Sequence, residues 1–224
     1  MYADLFFNET YSYHKCQVPR PQPMDFVLHF FDNKDDLFYI DVGANDGITW
    51  SNTFVLEKYL KWNGICIEPN PEIFTELFRN RNCKNLNICI SGEDGDVVFR
   101  SVHGYANMLS GILDFFEDAH IQRIDNDIKN HGGYYQDLNI RSQPLKNVCQ
   151  ENNVKDIDYL SIDCEGAEYQ VLKSLDLESF RPKVISIETE DNLRDSDSSA
   201  IKYLIKNGYK LETKVCGDSF FSLT

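Results

Sequence analysis

With 224 residues, 42% hydrophobic and 13% aromatic, the chain is long and apolar enough for one domain with a buried core. A formal net charge of −14 and a pI near 4.7 disfavour nucleic acid as a partner, because polyphosphate binding draws on basic surface. No apolar run reaches the length of a membrane span, and Met1 to Thr10, with Asp4 and Glu9 and no basic stretch, does not read as a signal peptide.

Seven cysteines, at 16, 66, 83, 89, 149, 164 and 216, form no C-x-x-C pair and no zinc-like cluster with histidine. They predict free thiols, several of them small buried hydrophobes, and with them a reducing, cytoplasmic setting. The Asn- and Lys-rich composition adds the expectation of an AT-rich, viral genome and a host cytosol.

Residues 1–37 read as an N-terminal extension. Pro19-Arg20-Pro21-Gln22-Pro23 is an extended connector into a short apolar helix from Met24 to Phe31. Phe38 to Val42 reads as a buried strand that breaks into a turn with glycines at 43 and 47. Phe54, Val55, Tyr59 and Leu60 then mark one face of a helix. Gly64 to Glu68 is a second strand, and Asn70-Pro71-Glu72 opens the next helix with an N-cap, a first-turn proline and a dipole-matched acid.

Leu86 to Ile90 predicts a third strand, followed by a turn and a short return through Val97 to Phe99. From 101 to 143 the pattern weakens into mixed glycine, histidine and aromatic residues, which predicts an irregular, substrate-facing insertion. Order resumes with a helix near Pro144 to Glu151 and a strand from Ile157 to Ile162, ending in Asp163-Cys164-Glu165-Gly166-Ala167-Glu168. A helix (Val171, Leu172, Leu175), the strand Val184 to Glu188, a helix from Ser198 to Lys206 and a terminal hairpin complete the chain. The alternation predicts a single α/β domain, a sandwich on a mostly parallel sheet made mixed by the hairpin.

In such a sheet a ligand sits beyond the carboxyl ends of the strands, and here those ends carry Asp41, Glu68, Asp163 and Glu188. A dinucleotide fingerprint would need glycine at 43, 45 and 48, but 45 is Asn and 48 is Ile; no Gly-Lys-Ser/Thr follows, so a triphosphate loop is excluded. Glu68, roughly 20 residues after the glycine turn, suits ribose hydroxyls. A glycine loop with a ribose acid and no phosphate-binding base suits S-adenosylmethionine. Asn45 and Asp46 can meet its ammonium group, and Ser91 its adenine edge. The plainer alternative is a set of strand-end acids held by helix caps; four together make it the weaker reading.

Asp41-Val42-Gly43-Ala44-Asn45-Asp46-Gly47, Ser51-Asn52-Thr53 with Leu56-Glu57, Trp62-Asn63-Gly64 with Ile67-Glu68-Pro69-Asn70-Pro71, and Ile162-Asp163-Cys164-Glu165-Gly166-Ala167-Glu168 resemble the FkbM-type methyltransferases. The resemblance spans about residues 38–100 and 144–190. It implies a class I methyltransferase (Rossmann-like) sandwich with a seven-stranded sheet, S-adenosylmethionine as donor, and O-methylation of a sugar or natural-product hydroxyl. The implied cofactor residues are Asp41, Gly43, Ala44, Asn45, Asp46, Gly47, Asn52, Glu68, Pro69, Asn70, Ser91 and Asp163, with Asp163 and Glu165 beside the reacting groups.

A sugar hydroxyl needs a base or a metal to become nucleophilic at neutral pH. Asp163 is the candidate base, with Glu165 orienting it or sharing the acceptor. Alternatively Asp163 and Glu188, on adjacent strand ends, hold a divalent cation such as Mg2+ or Mn2+, with Glu190 as a third ligand. His103 and His131 are further candidate bases, and Tyr105, Tyr134 and Tyr135 can stack on a sugar face or close the core. The fourth strand lacks the Asn-Pro-Pro-Tyr motif of base-methylating enzymes, which again points away from nucleic acid. The expectation is an O-methyltransferase of a carbohydrate or glycoconjugate. The alternatives are a non-catalytic nucleoside-binding module and a methyltransferase of a small non-sugar metabolite, the latter with a closed pocket under 101–143.

Overall fold

Strand β1 (Phe38–Val42) lies at the centre of the molecule, paired in parallel with β2 (Asn63–Ile67) on one side and β8 (Tyr159–Ile162) on the other. A strand flanked on both edges and covered on both faces must be apolar almost throughout, which is why Tyr39, Ile40 and Val42 are all buried. The structure is a computed structural model and describes residues 23–189 and 195–224. Most of the proline-rich connector, Cys16 and Glu190 fall outside the described residues.

The main sheet has seven strands in the order β10-β11-β9-β8-β1-β2-β3, adding β3 (Lys84–Leu86), β9 (Val184–Glu188), β10 (Tyr209–Val215) and β11 (Asp218–Leu223). Strands β3, β2, β1, β8 and β9 run parallel, and β11 runs antiparallel to β9 and β10. The expected mostly parallel seven-stranded sheet with a C-terminal antiparallel hairpin is therefore present. Side chains alternate between faces. Tyr39, Cys66, Tyr159 and Phe220 pack with α1 (Pro23–Phe30), α2 (Phe54–Leu60) and α3 (Pro71–Asn80). Ile40, Ile65, Leu160 and Ile185 pack on the opposite face, with α5 (Leu145–Glu151), α6 (Glu168–Leu175) and α7 (Asp195–Lys206). Chain order reverses between β1 and β8, so the crevice beyond their carboxyl ends is the topological switch point.

Two expectations are corrected. The strand predicted from Leu86 to Ile90 is two: β3 ends at Leu86, and β4 (Cys89–Ile90) joins a second sheet of order β4-β7-β5-β6. Asn87 makes the break, its amide donating to the carbonyls of Glu68 and Pro69 at 2.8 and 2.9 Å. The stretch 101–143 is regular. Strands β5 (Gly95–Gly104) and β7 (Gly133–Gln143) pair antiparallel from Gly95↔Ser142 to Gly104↔Gly133, with β6 (Gly111–Ile112) and α4 (Asp118–His131) between them in sequence. The first residues of each strand, 95–98 and 133–137, are largely exposed, so no sustained two-residue hydrophobic alternation reveals them.

The all-thiol expectation is also corrected. Cys66, Cys83, Cys89, Cys149 and Cys164 are free, but Cys216, in the tight turn Cys216-Gly217 between β10 and β11, is disulfide-bonded. The argument for a reducing compartment loses that ground. Among the described residues no helix is long and apolar enough to cross a membrane.

Candidate active site

A cleft of about 1080 Å³, its open mouth included, lies at the switch point. One wall is the loop after β1. Gly43 (φ +86°) turns the chain where a Cβ would lie 1.8 Å from the Asp163 carbonyl oxygen, so only glycine fits. The amides of Gly43 and Ala44 both donate to Ile67 O at 3.0 Å. Asn45 takes the left-handed conformation (φ +50°), which its short polar side chain tolerates, and donates its N–H to Glu68 Oε2 at 3.0 Å. Asn70 N–H donates to Glu68 Oε1 at 2.8 Å, and Asn70 Oδ1 caps α3. Each Glu68 oxygen thus holds one backbone donor and keeps acceptor capacity for a ligand hydroxyl. Burial lifts the Glu68 carboxyl to about 7, against the pull of those two N–H groups.

Arg81, only 3% exposed, holds this loop from behind. It donates to Gly47 O (3.0 Å) and Ser51 Oγ (3.2 Å) through Nη1, to Tyr39 Oη (2.8 Å) and Thr53 Oγ1 (2.9 Å) through Nη2, and to Glu57 through Nε (2.8 Å). Thr53 Oγ1 in turn donates to Asp41 at 2.6 Å. Burial raises the Asp41 carboxyl above its ordinary value, and Arg81 and Thr53 pull the other way. Asn52 lines the cleft and donates to Ser161 and Asp218, both at 3.4 Å.

The opposite wall is the loop after β8. Asp163, Glu165 and Glu188 each offer an oxygen, and these lie within 4.8 Å of one another. Glu165 is buried in the left-handed conformation (φ +53°), an uncommon posture for a long side chain, and Gly166 (φ +110°) follows. Glu168 is structural: its carboxylate accepts the N–H groups of Cys164 and Gly166 and fixes the loop. His120 of α4 brings its Nδ1 to 3.6 Å from Glu165 Oε2. Its Nε2 donates to Leu109 O at 3.0 Å; a carbonyl only accepts, so Nε2 carries a proton, and Nδ1 attracts the Glu165 carboxylate when it is protonated too. Leu109 closes the short 3-10 turn Asn107–Leu109, whose Asn107 and Met108 line the cleft, so His120 ties the hairpin to the acid.

The structure brings together at the cleft Asp41, Gly43, Ala44, Asn45, Asn52, Glu68, Pro69, Asn70, Asp163 and Glu165. Glu188 meets the last two through its carboxylate. Three predicted cofactor residues turn elsewhere. Asp46 caps its own loop, accepting from Ile48 N, Thr49 N and Thr49 Oγ1. Gly47 packs against Arg81 and Leu77. Ser91 bonds Ser142 Oγ at 2.6 Å, and the cleft there is lined by Ile88, Cys89, Ile90 and Phe99. Neither alternative histidine lines it: His103 bonds Glu72 and Ser101, and His131 packs on Tyr105. Tyr105, Tyr134 and Tyr135 are 67%, 57% and 42% exposed and so do not close a core. Sequence reasoning missed Arg81 and His120, because each acts through contacts 11 to 45 residues away along the chain. It also missed Trp50, held at φ +56° on the rim.

Among the described residues no Lys, Arg or His lines the cleft, whereas Asp41, Glu68, Asp163 and Glu165 do. That lining fits a cationic nucleoside without phosphates, and Glu68 fits its ribose. A doubly wound sheet of this strand order, with a glycine turn after β1 and an acid after β2, defines a class I S-adenosylmethionine-dependent methyltransferase. The methyltransferase FkbM domain model matches residues 41–211, and the chain belongs to that family.

Among solved structures, the methyltransferase FkbM of Methylobacillus flagellatus KT is similar, with 14% identity over 85% of this chain and 44% of that one and a TM-score of 0.47. The precorrin-6y C5,15-methyltransferase of Geobacter metallireducens GS-15 shares 13% identity over 92% of this chain and 89% of that one, TM-score 0.45. An RNA methyltransferase of Salinibacter ruber, solved with S-adenosyl-L-homocysteine, shares 13% over 92% and 93%, TM-score 0.39. No curated protein matches the sequence.

Proposed function

We propose that the chain methylates a hydroxyl of a sugar or glycoconjugate, with Asp163 as general base. The observation that carries this reading is the convergence of Asp163, Glu165 and Glu188 beside the Gly43 turn. Bound S-adenosylmethionine supplies an electrophilic methyl group, held by the Gly43–Asn45 backbone and Glu68. The chain's own work is positioning and proton transfer. Asp163 accepts the hydroxyl proton, Glu165 fixes the acceptor, and His120 keeps Glu165 in place.

A second reading is favoured by the same three carboxylates. They would hold a divalent cation such as Mg2+ or Mn2+, whose all-oxygen preference they satisfy, with Glu165 in the third-ligand role expected of Glu190. Such an ion lowers the pKa of a bound hydroxyl.

The test is a screen of free sugars, glycans and non-sugar alcohols with methyl-labelled donor. Label in a sugar ether is expected; label only in a non-sugar metabolite or an amine would sink the proposal. The non-catalytic alternative predicts no turnover with any acceptor in that screen, and no heat on calorimetric titration of folded protein with S-adenosylmethionine would sink the enzyme reading. Chelation addresses the ion: unaffected turnover removes it.

A further inference from the structure

Behind the donor loop, on the face of the sheet away from the carboxylates, two thiols meet. Cys66 is fully buried on β2, and Cys83, partly exposed, lies in the turn between α3 and β3. Their sulfurs are 3.5 Å apart, with Asn85 Oδ1 3.6 Å from Cys83 Sγ. A disulfide bond is about 2.05 Å, so closure requires a relative sulfur movement of about 1.5 Å.

The turn that would move is also the one that clips the donor loop. Asn80 Nδ2 donates to Asp46 O at 2.8 Å, Arg81 to Gly47 O and Ser51 Oγ, and the Asn82 N–H to Glu57 Oε1 at 2.8 Å. There is no slack at this contact: a Cβ on Gly47 would lie 2.6 Å from Arg81 Cγ and 2.7 Å from Leu77 Cδ1.

We propose that Cys66 and Cys83 form an oxidisable dithiol, a modification site for a disulfide oxidant such as glutathione disulfide, and that closing it weakens binding at the donor loop through Arg81. The second half rests on the S-adenosylmethionine reading of that loop. Cys83 is the attacking thiol. It is the accessible one, and the Cys66 hydrogen bond and the Arg81 charge hold its pKa below the ordinary thiol value, whereas burial pushes Cys66 well up. The Cys83 thiolate attacks one sulfur of glutathione disulfide and expels the other glutathione as a thiolate. Cys66 then gives up its proton and attacks the Cys83 sulfur, expelling the second glutathione. Two protein thiols and one glutathione disulfide become one protein disulfide and two glutathione thiols.

The test treats the reduced full chain with glutathione disulfide, maps linked peptides by mass spectrometry and titrates S-adenosylmethionine calorimetrically. A Cys66–Cys83 link is expected, with affinity about fivefold or more weaker, the scale of one lost hydrogen bond. Dithiothreitol should reverse the loss, and Cys83→Ser should show neither link nor loss; Cys83→Ala serves if the serine variant melts early. Absence of the link, or a link with unchanged affinity, overturns the proposal. Reduced wild type that binds no donor overturns the cofactor reading and with it the coupling, while the mapped link still decides the dithiol.

Discussion

The wall of the cleft that we assign to the donor is backbone held from behind. Gly43, Ala44 and Asn45 offer main-chain groups, and one buried guanidinium secures the loop with three hydrogen bonds, to Gly47, Ser51 and Thr53, while two more anchor it to Tyr39 and Glu57. The wall we assign to the acceptor is side chain: three carboxylates from two strand ends, one of them approached by a histidine of the hairpin. The first arrangement recognises a fixed shape and leaves little to vary. The second gathers charge whose use depends on what the hairpin admits. Donor affinity and turnover are therefore separable properties, and substitutions can be chosen to move one without the other.

Asp163→Asn should separate them most sharply. Turnover is expected to fall about 10²–10⁴-fold, the range for a lost general base, with donor affinity nearly unchanged. Gly43→Ala should abolish the separation, because Gly43 lies where the two walls touch. With φ +86° and the Asp163 carbonyl 1.8 Å from the new Cβ, a loss of about 3 kcal/mol or more is expected in a denaturant melt. Arg81→Met leaves Glu57 without its buried partner and should cost about 3 kcal/mol, read in the same melt.

Glu68→Gln acts on the donor wall alone and should weaken S-adenosylmethionine about tenfold. The ionised carboxylate is the better acceptor for ribose hydroxyls, so wild-type affinity should rise as pH rises through about 7, and the variant should be flat. The folded-state pKa lies above the unfolded value of 4.5, so the contribution of Glu68 to ligand-free stability is present below pH 4.5 and is lost as pH rises through about 7. Melts of wild type and variant across that window check the sign. The smallest effect is expected for His120→Ala, about fivefold in turnover with donor affinity intact, read from steady-state kinetics.

Much of the donor wall was legible in the sequence because its determinants are local. Gly43 follows an apolar strand directly, and Glu68 ends the next one. Asp163 and Glu188 were legible for the same reason: each ends a strand that reads as buried. Arg81 was not. Its role depends on five groups, Tyr39, Gly47, Ser51, Thr53 and Glu57, that only the folded sheet assembles, and a single arginine at a helix end otherwise reads as solvated. The partners of Asp46 and Ser91 were illegible for the same reason. Sequence puts them beside the site, whereas their own hydrogen bonds turn them into the loop and toward Ser142. The hairpin β5–β7 was illegible because each of its strands begins in a largely exposed stretch, and so His120, which it carries on α4, was passed over for the more conspicuous His103 and His131.

The most direct measurement is a calorimetric titration of S-adenosylmethionine into wild type, Glu68→Gln and Asp163→Asn under one set of conditions at pH 8. Strong binding to wild type and Asp163→Asn, with clear weakening in Glu68→Gln, is the predicted result. Equal weakening in both variants, or full-strength binding to Glu68→Gln, would contradict the division of the cleft into a donor wall and an acceptor wall.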